Sequence, residues 1–281
     1  MKTTQMHHAG MVMVGLMMSV WMGSAWAGKA GQMPVVVEKP FSRTPKHILR
    51  VDSAQPDLIV TIAGVVVTLK YIPSGEYLMG CLSREKDCID DDEQRVHNVR
   101  IRQGFYMMST EVTQGLYTAV MGENPSYFTA CGLECPVEQV SWEEANAFSG
   151  EVSSLVGGIW GLPTEEQWEW AARGGEEYAY AGSDTLEDVG WYRDNSGATT
   201  HPVKQKKANA FGLYDMSGNV WEWMEGIYAS YPGGLPVRSS FRGNRGGSLR
   251  DVYYMYVYKR FASAPGSRDR NLGFRLVRSI P

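Results

Sequence analysis

Residues 209–223 read NAFGLYDMSGNVWEW, a run in which carboxylates, asparagines and glycines break up the aromatic residues. Neither the two-residue alternation of a strand nor the period of an amphipathic helix fits it, so it reads as a loop fixed by large anchors. Gly212 and Gly218 are positions where the backbone can pass through positive φ or approach another group closely. Asp215 and Asn219 offer oxygens to a turn or to a hard cation such as calcium. One carboxylate alone holds calcium weakly, so a turn cap beside Trp221 competes with the metal reading of Asp215.

The cysteines form a second reactive set, Cys81 with Cys88 and Cys131 with Cys135. In an oxidising compartment an even count points to disulfides, and nearness along the chain favours Cys81–Cys88 and Cys131–Cys135. Zinc held by all the thiolates is the alternative, although the first pair is spaced too widely for the usual structural site. The histidines beyond residue 27 are His47, His97 and His201, with no helical pair at ligand spacing. Asp90, Asp91, Asp92 and Glu93 form an acidic run that reads as a solvated loop unless further ligands converge on it.

A third set lies in residues 249–270, LRDVYYMYVYKRFASAPGSRDR. If this segment is extended, Tyr254, Tyr256 and Tyr258 share one face, with Tyr253 and Lys259 on the other. Such a face can stack on a peptide, a glycan or an aromatic ring, while Arg250, Lys259 and Arg260 pair with carboxylates. The plainer reading is a strand whose tyrosines pack the core and its rim. Asp251 is a candidate general base, with nothing local to raise its pKa.

These groups need a scaffold, and the chain is long enough for one. It has 281 residues, 43% hydrophobic and 21% charged, which is globular composition. A net charge of −4 and the lack of a basic run argue against a nucleic-acid partner. Residues 1–27 differ: Lys2, an apolar methionine-rich run and Ala25-Trp26-Ala27 are the pattern of a signal peptide cleaved after Ala27. The apolar run is about 14 residues, short of the roughly twenty needed to span a bilayer, so a periplasmic or secreted protein without a stable membrane anchor is expected.

Residues 28–57 read as an extended N-terminal segment and 58–281 as one domain. LIVTIAGVVVTLKYI from Leu58 is β-branched and broken at Gly64, which suggests a hairpin or bulge, and residues 96–101 alternate as a strand. Ser141 with Glu144 and Thr164 with Gln167 are capping boxes that open helices, closed by Gly157-Gly158 and Gly174-Gly175. Trp168 and Ala172 share a helical face and are expected in the core. The rest is loop-rich, and the class is α+β with low regular secondary structure.

Several segments in order resemble the formylglycine-generating enzyme, or sulfatase-modifying factor, family: IPSGEYLMG, STEVTQGLY, PVEQVSWEEANAF, LPTEEQWEWAARGG, the run at 209–223, RGGS at 245–248 and NLGFRLVRS at 271–279. The resemblance implies a compact fold of low regular content, related to C-type lectin domains. Active members bind copper(I) through two cysteines after the GGS turn; here those positions fall on Asp251 and Tyr256, neither a thiolate. Iron, as in related sulfoxide synthases, lacks its histidines here, so no copper or iron is expected. The family's structural calcium maps onto Asp215 and the carbonyls of Gly218 and Val220, and a second calcium onto Asn195 with the Ser196 carbonyl. Two functions follow: a module binding a peptide, protein or small metabolite in the envelope through Arg250, Tyr254, Tyr256, Tyr258 and Arg260, or a tailoring enzyme acting on a peptide or peptide-derived metabolite, like the periplasmic pyoverdine-maturation proteins. Whether the chain is catalytic stays open between them.

Overall fold

The computed structural model describes residues 48–51, 56–82, 88, 95–233 and 240–280, with 48–51 as backbone alone. The expected signal segment 1–27, most of the N-terminal segment 28–57, including His47, and the acidic run 90–93 lie outside the described residues.

The β-branched segments open the fold as β1 (Ile48–Val51), β2 (Leu58–Ile62), β3 (Val65–Ile72), β4 (Gly75–Met79), β5 (His97–Ile101) and β6 (Phe105–Met108). The break at Gly64 is a tight hairpin, with Ala63 at φ 46° and Gly64 at φ 85°. Two successive positive φ values match the twist of the paired strands. A helix that the sequence reading did not foresee follows, α1 (Gln114–Met121). Its N-cap is Thr113, whose hydroxyl accepts from Leu116 N, but Leu116 cannot return a bond and no capping box advertises the start.

The two expected capping boxes open α2 (Trp142–Val156) and, after β7 (Trp160–Gly161), α3 (Glu165–Arg173). Ser141 Oγ accepts from Glu144 N at 3.2 Å while Glu144 Oε2 accepts from Ser141 N at 2.9 Å. Each such cap contributes about 1 kcal/mol. Next come α4 (Leu186–Val189), β8 (Trp221–Ile227), β9 (Arg242–Arg245), β10 (Arg260–Ser263), β11 (Leu272–Gly273) and β12 (Val277–Ser279).

Among the described residues the strands form sheets ordered β1-β4-β5, β10-β9-β8-β11 and β2-β3-β6-β12-β7. The five-stranded sheet separates two cores, with Met108 in one and the neighbouring Met107 in the other. In the first, Tyr117 stacks on Phe148 with ring centroids 5.4 Å apart. The second encloses Trp168, Trp170 and Ala172, the core role expected for the α3 face. Long irregular stretches between short elements bear out a mixed α+β fold of low regular content.

Buried ion pairs fix the four-stranded sheet against α3. Arg245 of β9 reaches Glu169 at 3.1 Å and Glu165 at 3.0 Å, and Arg275 pairs with Glu222 of β8 at 2.8 Å. Glu222 also accepts from the Trp168 indole at 2.8 Å. With Glu222 turned to this side, Trp221 and Trp223 face the other way, as the strand period requires.

Candidate functional site

The loop 209–223 starts as a helix cap. Asn209 Nδ2 donates to the carbonyls of Ala171 and Ala172 at 2.7 and 3.0 Å, so it closes α3, while its Oδ1 accepts from Phe211 N and Leu213 N at 3.1 Å each. Gly212 and Gly218 have φ of 75° and 100°, as expected, and Asp215 and Asn219 share the left-handed region at 55° and 60°. A Cβ on Gly218 would collide with the Trp191 carbonyl.

Asp215 is buried, and its Oδ2 accepts from Lys204 N at 2.9 Å. Its Oδ1 has no partner among the described residues, and neither has either oxygen of the fully buried Glu111. Burial first, and then the charge of Asp215, push the Glu111 carboxyl well above the usual carboxylate range. Burial likewise pushes Asp215 up to about 6, against the opposing Lys204 N–H and Arg275. Glu222 is fully satisfied by Arg275 and Trp168, so the uncompensated charge is that of Glu111 and Asp215. Two buried carboxylates with unused oxygens fit a hard divalent cation. Glu111 also lines a cavity of about 220 Å³ with Ser109, Thr110, Thr113, Glu134 and Lys204. Nothing in the local sequence singles out Glu111; only its burial next to Asp215 does.

Asn195, expected at a second cation site, makes hydrogen bonds within the chain. Its Oδ1 accepts from Tyr192 N at 2.8 Å and its Nδ2 donates to Gly190 O at 2.9 Å. The Ser196 carbonyl is taken by His201 Nε2 at 2.8 Å. Each of these oxygens thus carries a hydrogen bond within the chain. His201 in turn stacks on Trp191 at 3.7 Å, with Lys206 Nζ 4.2 Å from the centroid of the same ring.

Residues 249–259 run through successive turns rather than a strand, and the expected alternation of tyrosines fails for that reason. Tyr258 is 0% exposed and Arg260 6%, so neither can face a partner; Arg260 is held by Glu165 at 2.6 Å. Lys259 is buried too. Tyr256 is half-buried, stacked between Tyr180 at 4.9 Å and Tyr258 at 5.4 Å. What remains outside is Arg250, Tyr253 at 68%, Tyr254 at 39% and, from β10, Phe261 at 48% exposure. Tyr254, Phe261 and Trp221 form one ring cluster, with centroids 5.7–6.0 Å apart.

Asp251 lies against this cluster. It accepts from Ser248 Oγ at 2.5 Å and from the Trp221 side chain. Burial raises its carboxyl above the ordinary Asp value despite these donors. The elements responsible are remote in sequence, which is why local reasoning missed the shift. Ser248 Oγ is itself held by Asn271 Nδ2 at 2.8 Å and Arg250 N at 3.3 Å.

Both expected disulfides form: Cys81–Cys88 and Cys131–Cys135, with Cα atoms 5.9 and 6.0 Å apart. All the cysteines are used, so no thiolate is left for zinc.

Residues 65–280 match the family of the sulfatase-modifying factor enzyme 1-like domain. The chain belongs to that family. Sulfatase-modifying-factor relatives include the chaperone protein LppX of Paenibacillus barcinonensis, 32% identical over 233 residues that cover 62% of this chain and 80% of LppX. A formylglycine-generating enzyme of Streptomyces coelicolor is 35% identical over 167 residues, 50% of this chain and 51% of that enzyme. The chain thus spans about half the length of that enzyme. Among solved structures, the Treponema denticola variable protein 1 superposes with a TM-score of 0.70 at 32% identity, covering 80% of this chain and 99% of that one.

Proposed function

We propose that this is an exported sulfatase-modifying-factor domain that binds a peptide or protein partner in the cell envelope, without copper-dependent sulfatase activation. The observation that carries the reading is the pair of exposed rings Tyr254 and Phe261, packed on the buried Trp221 beside Asp251. Large rings rimmed by arginine are the composition of interface anchors. Asp251 and Tyr256, at the positions that the resemblance gives to the catalytic cysteines, offer no soft donor to copper(I). The name of the relative LppX, a chaperone, accords with a binding role. Export draws support from the N-terminal pattern and from the disulfides, which persist in oxidising compartments. Among the described residues no helix is long and apolar enough to cross a membrane.

Calcium is assigned a structural role in this reading. Asp215 and Glu111, with the carbonyls of Gly218 and Val220, would hold it, and it would supply positive charge to two carboxylates that otherwise repel each other. A second functional reading, a tailoring enzyme, rests on Asp251: a carboxyl raised by burial beside an exposed face is suited to proton transfer.

Selection of displayed random peptides on the mature protein tests the binding reading. Selected peptides should lose affinity on the variant carrying Tyr254→Ser and Phe261→Ser; unchanged affinity rejects this face. A sulfatase cysteine peptide incubated with the copper(I)-loaded protein should keep its mass, and conversion to formylglycine would reverse the second half of the proposal.

A further inference from the structure

Two exposed arginines lie in the segments that adjoin the ring cluster, Arg250 next to Asp251 and Arg270 next to Asn271, whose carbonyl accepts from Trp221 N. Arg250 and Arg270 are exposed, and neither pairs with a carboxylate among the described residues. Their neighbours are spoken for: Arg193 pairs with Asp194 at 3.2 Å, Arg268 with Glu144 at 2.7 Å and Arg260 with Glu165 at 2.6 Å. The chain segments that carry the two arginines meet at Ser248. Arg250 N donates to Ser248 Oγ at 3.3 Å, and Asn271, next to Arg270, donates to that oxygen at 2.8 Å. The Arg270 guanidinium lies 5.2 Å from the ring centroid of Tyr127, itself 56% exposed. Of the nearby acids, Asp251 bonds to Ser248 and Trp221 and feels the charge of Arg250 without forming an ion pair with it, and Asp269 makes no ion pair with Arg270.

Resting on the binding reading above, we propose that the partner is an acidic peptide segment, with carboxylates received by Arg250 and Arg270 and an apolar or aromatic side chain laid on Tyr254 and Phe261, which the buried Trp221 backs. Charge complementarity selects this partner. The chain as a whole carries −4, so the two unpaired guanidiniums are a local departure from its overall sign. A guanidinium meets a carboxylate through two parallel N–H donors, which gives orientation as well as attraction. The rings supply contact area at low cost in side-chain entropy. Because both arginines are exposed, the electrostatic part is screened by salt and the ring part is not.

Fluorescence anisotropy with two labelled peptides of equal length, one alternating Glu and Tyr and one alternating Lys and Tyr, decides the point. The Glu–Tyr peptide should bind about tenfold or more tightly than the Lys–Tyr peptide at low salt, and the gap should shrink as potassium chloride is raised. The double charge reversal Arg250→Glu with Arg270→Glu should invert the preference, with the circular dichroism spectrum unchanged because both side chains are exposed. Tyr254→Ser with Phe261→Ser should weaken both peptides alike. If the ring variant weakens binding while charge reversal leaves the preference untouched, the face binds peptides but the acidic partner is wrong. If neither pair of substitutions changes binding, the face itself is wrong and the underlying reading fails with it.

Discussion

Ser248 donates its hydroxyl proton to Asp251 Oδ2 at 2.5 Å, while Asn271 Nδ2 reaches the same Ser248 oxygen at 2.8 Å. The serine therefore links the GGS turn, the start of the turn-rich segment and β11 around one half-buried carboxylate. It orients Asp251 and favours its ionised form, against the burial that raises the carboxyl.

Ser248→Ala should consequently move the Asp251 carboxyl further up, as followed by carboxyl-carbon NMR during acid titration. The raised group contributes stability that is fully present below its unfolded pKa and lost as pH rises through its folded pKa, so the variant should lose stability over a wider pH span. At neutral pH the loss should be about 1–3 kcal/mol in urea unfolding. An unchanged Asp251 midpoint would show that Ser248 does not position it.

Glu111→Gln should separate repulsion from cation binding. Without metal, the amide cannot ionise beside Asp215, so at alkaline pH, where the parent must carry both charges, the melting temperature should rise above that of the parent protein. With calcium the order should reverse, because the parent gains stability by mass action and the variant has lost a ligand. Calorimetry of chelator-treated protein with and without added calcium checks both halves; equal calcium shifts in the two proteins would remove Glu111 from the site.

Arg245→Met should cost about 3–5 kcal/mol, since it removes the β9 cation from buried Glu169, which keeps only Arg173, and unties Tyr231. The linear extrapolation of urea unfolding gives the number. A loss under about 1 kcal/mol would mean that the network relaxes without Arg245.

Glu144 provides the acid limb of the stability curve. Its hydrogen bond with Arg268 is the main cause of a carboxyl lowered to about 2, with Ser141 of the capping box assisting. A lowered group contributes stability above its unfolded pKa and loses it as pH falls through the folded value. Unfolding free energy should therefore decline between about pH 4.5 and 2. The pair is largely exposed, so the contribution of Glu144 is expected at no more than about 1 kcal/mol. Glu144→Gln should flatten that part of the curve, and an identical acid limb in the variant would contradict the assignment.

Much of the scaffold was legible in the chain because its signals are local. Capping boxes at Ser141 and Thr164, the break at Gly64 and the positive-φ glycines at 212 and 218 concern residues within a few positions of one another. The start of α1 was missed since Thr113 caps it without a reciprocal partner. Both disulfides could be paired by proximity along the chain.

The candidate sites divide along the same line. By itself the sequence determined the family pattern, the disulfides and the donor loop around Asp215, all of which depend on residue type and short spacing. Tertiary structure alone decided that Tyr258 and Arg260 are buried, that Phe261 joins Tyr254 and Trp221, and that Glu111 stands opposite Asp215 without a partner. Burial, ring packing and charge coupling are set by elements far apart in the chain, and no local spacing encodes them.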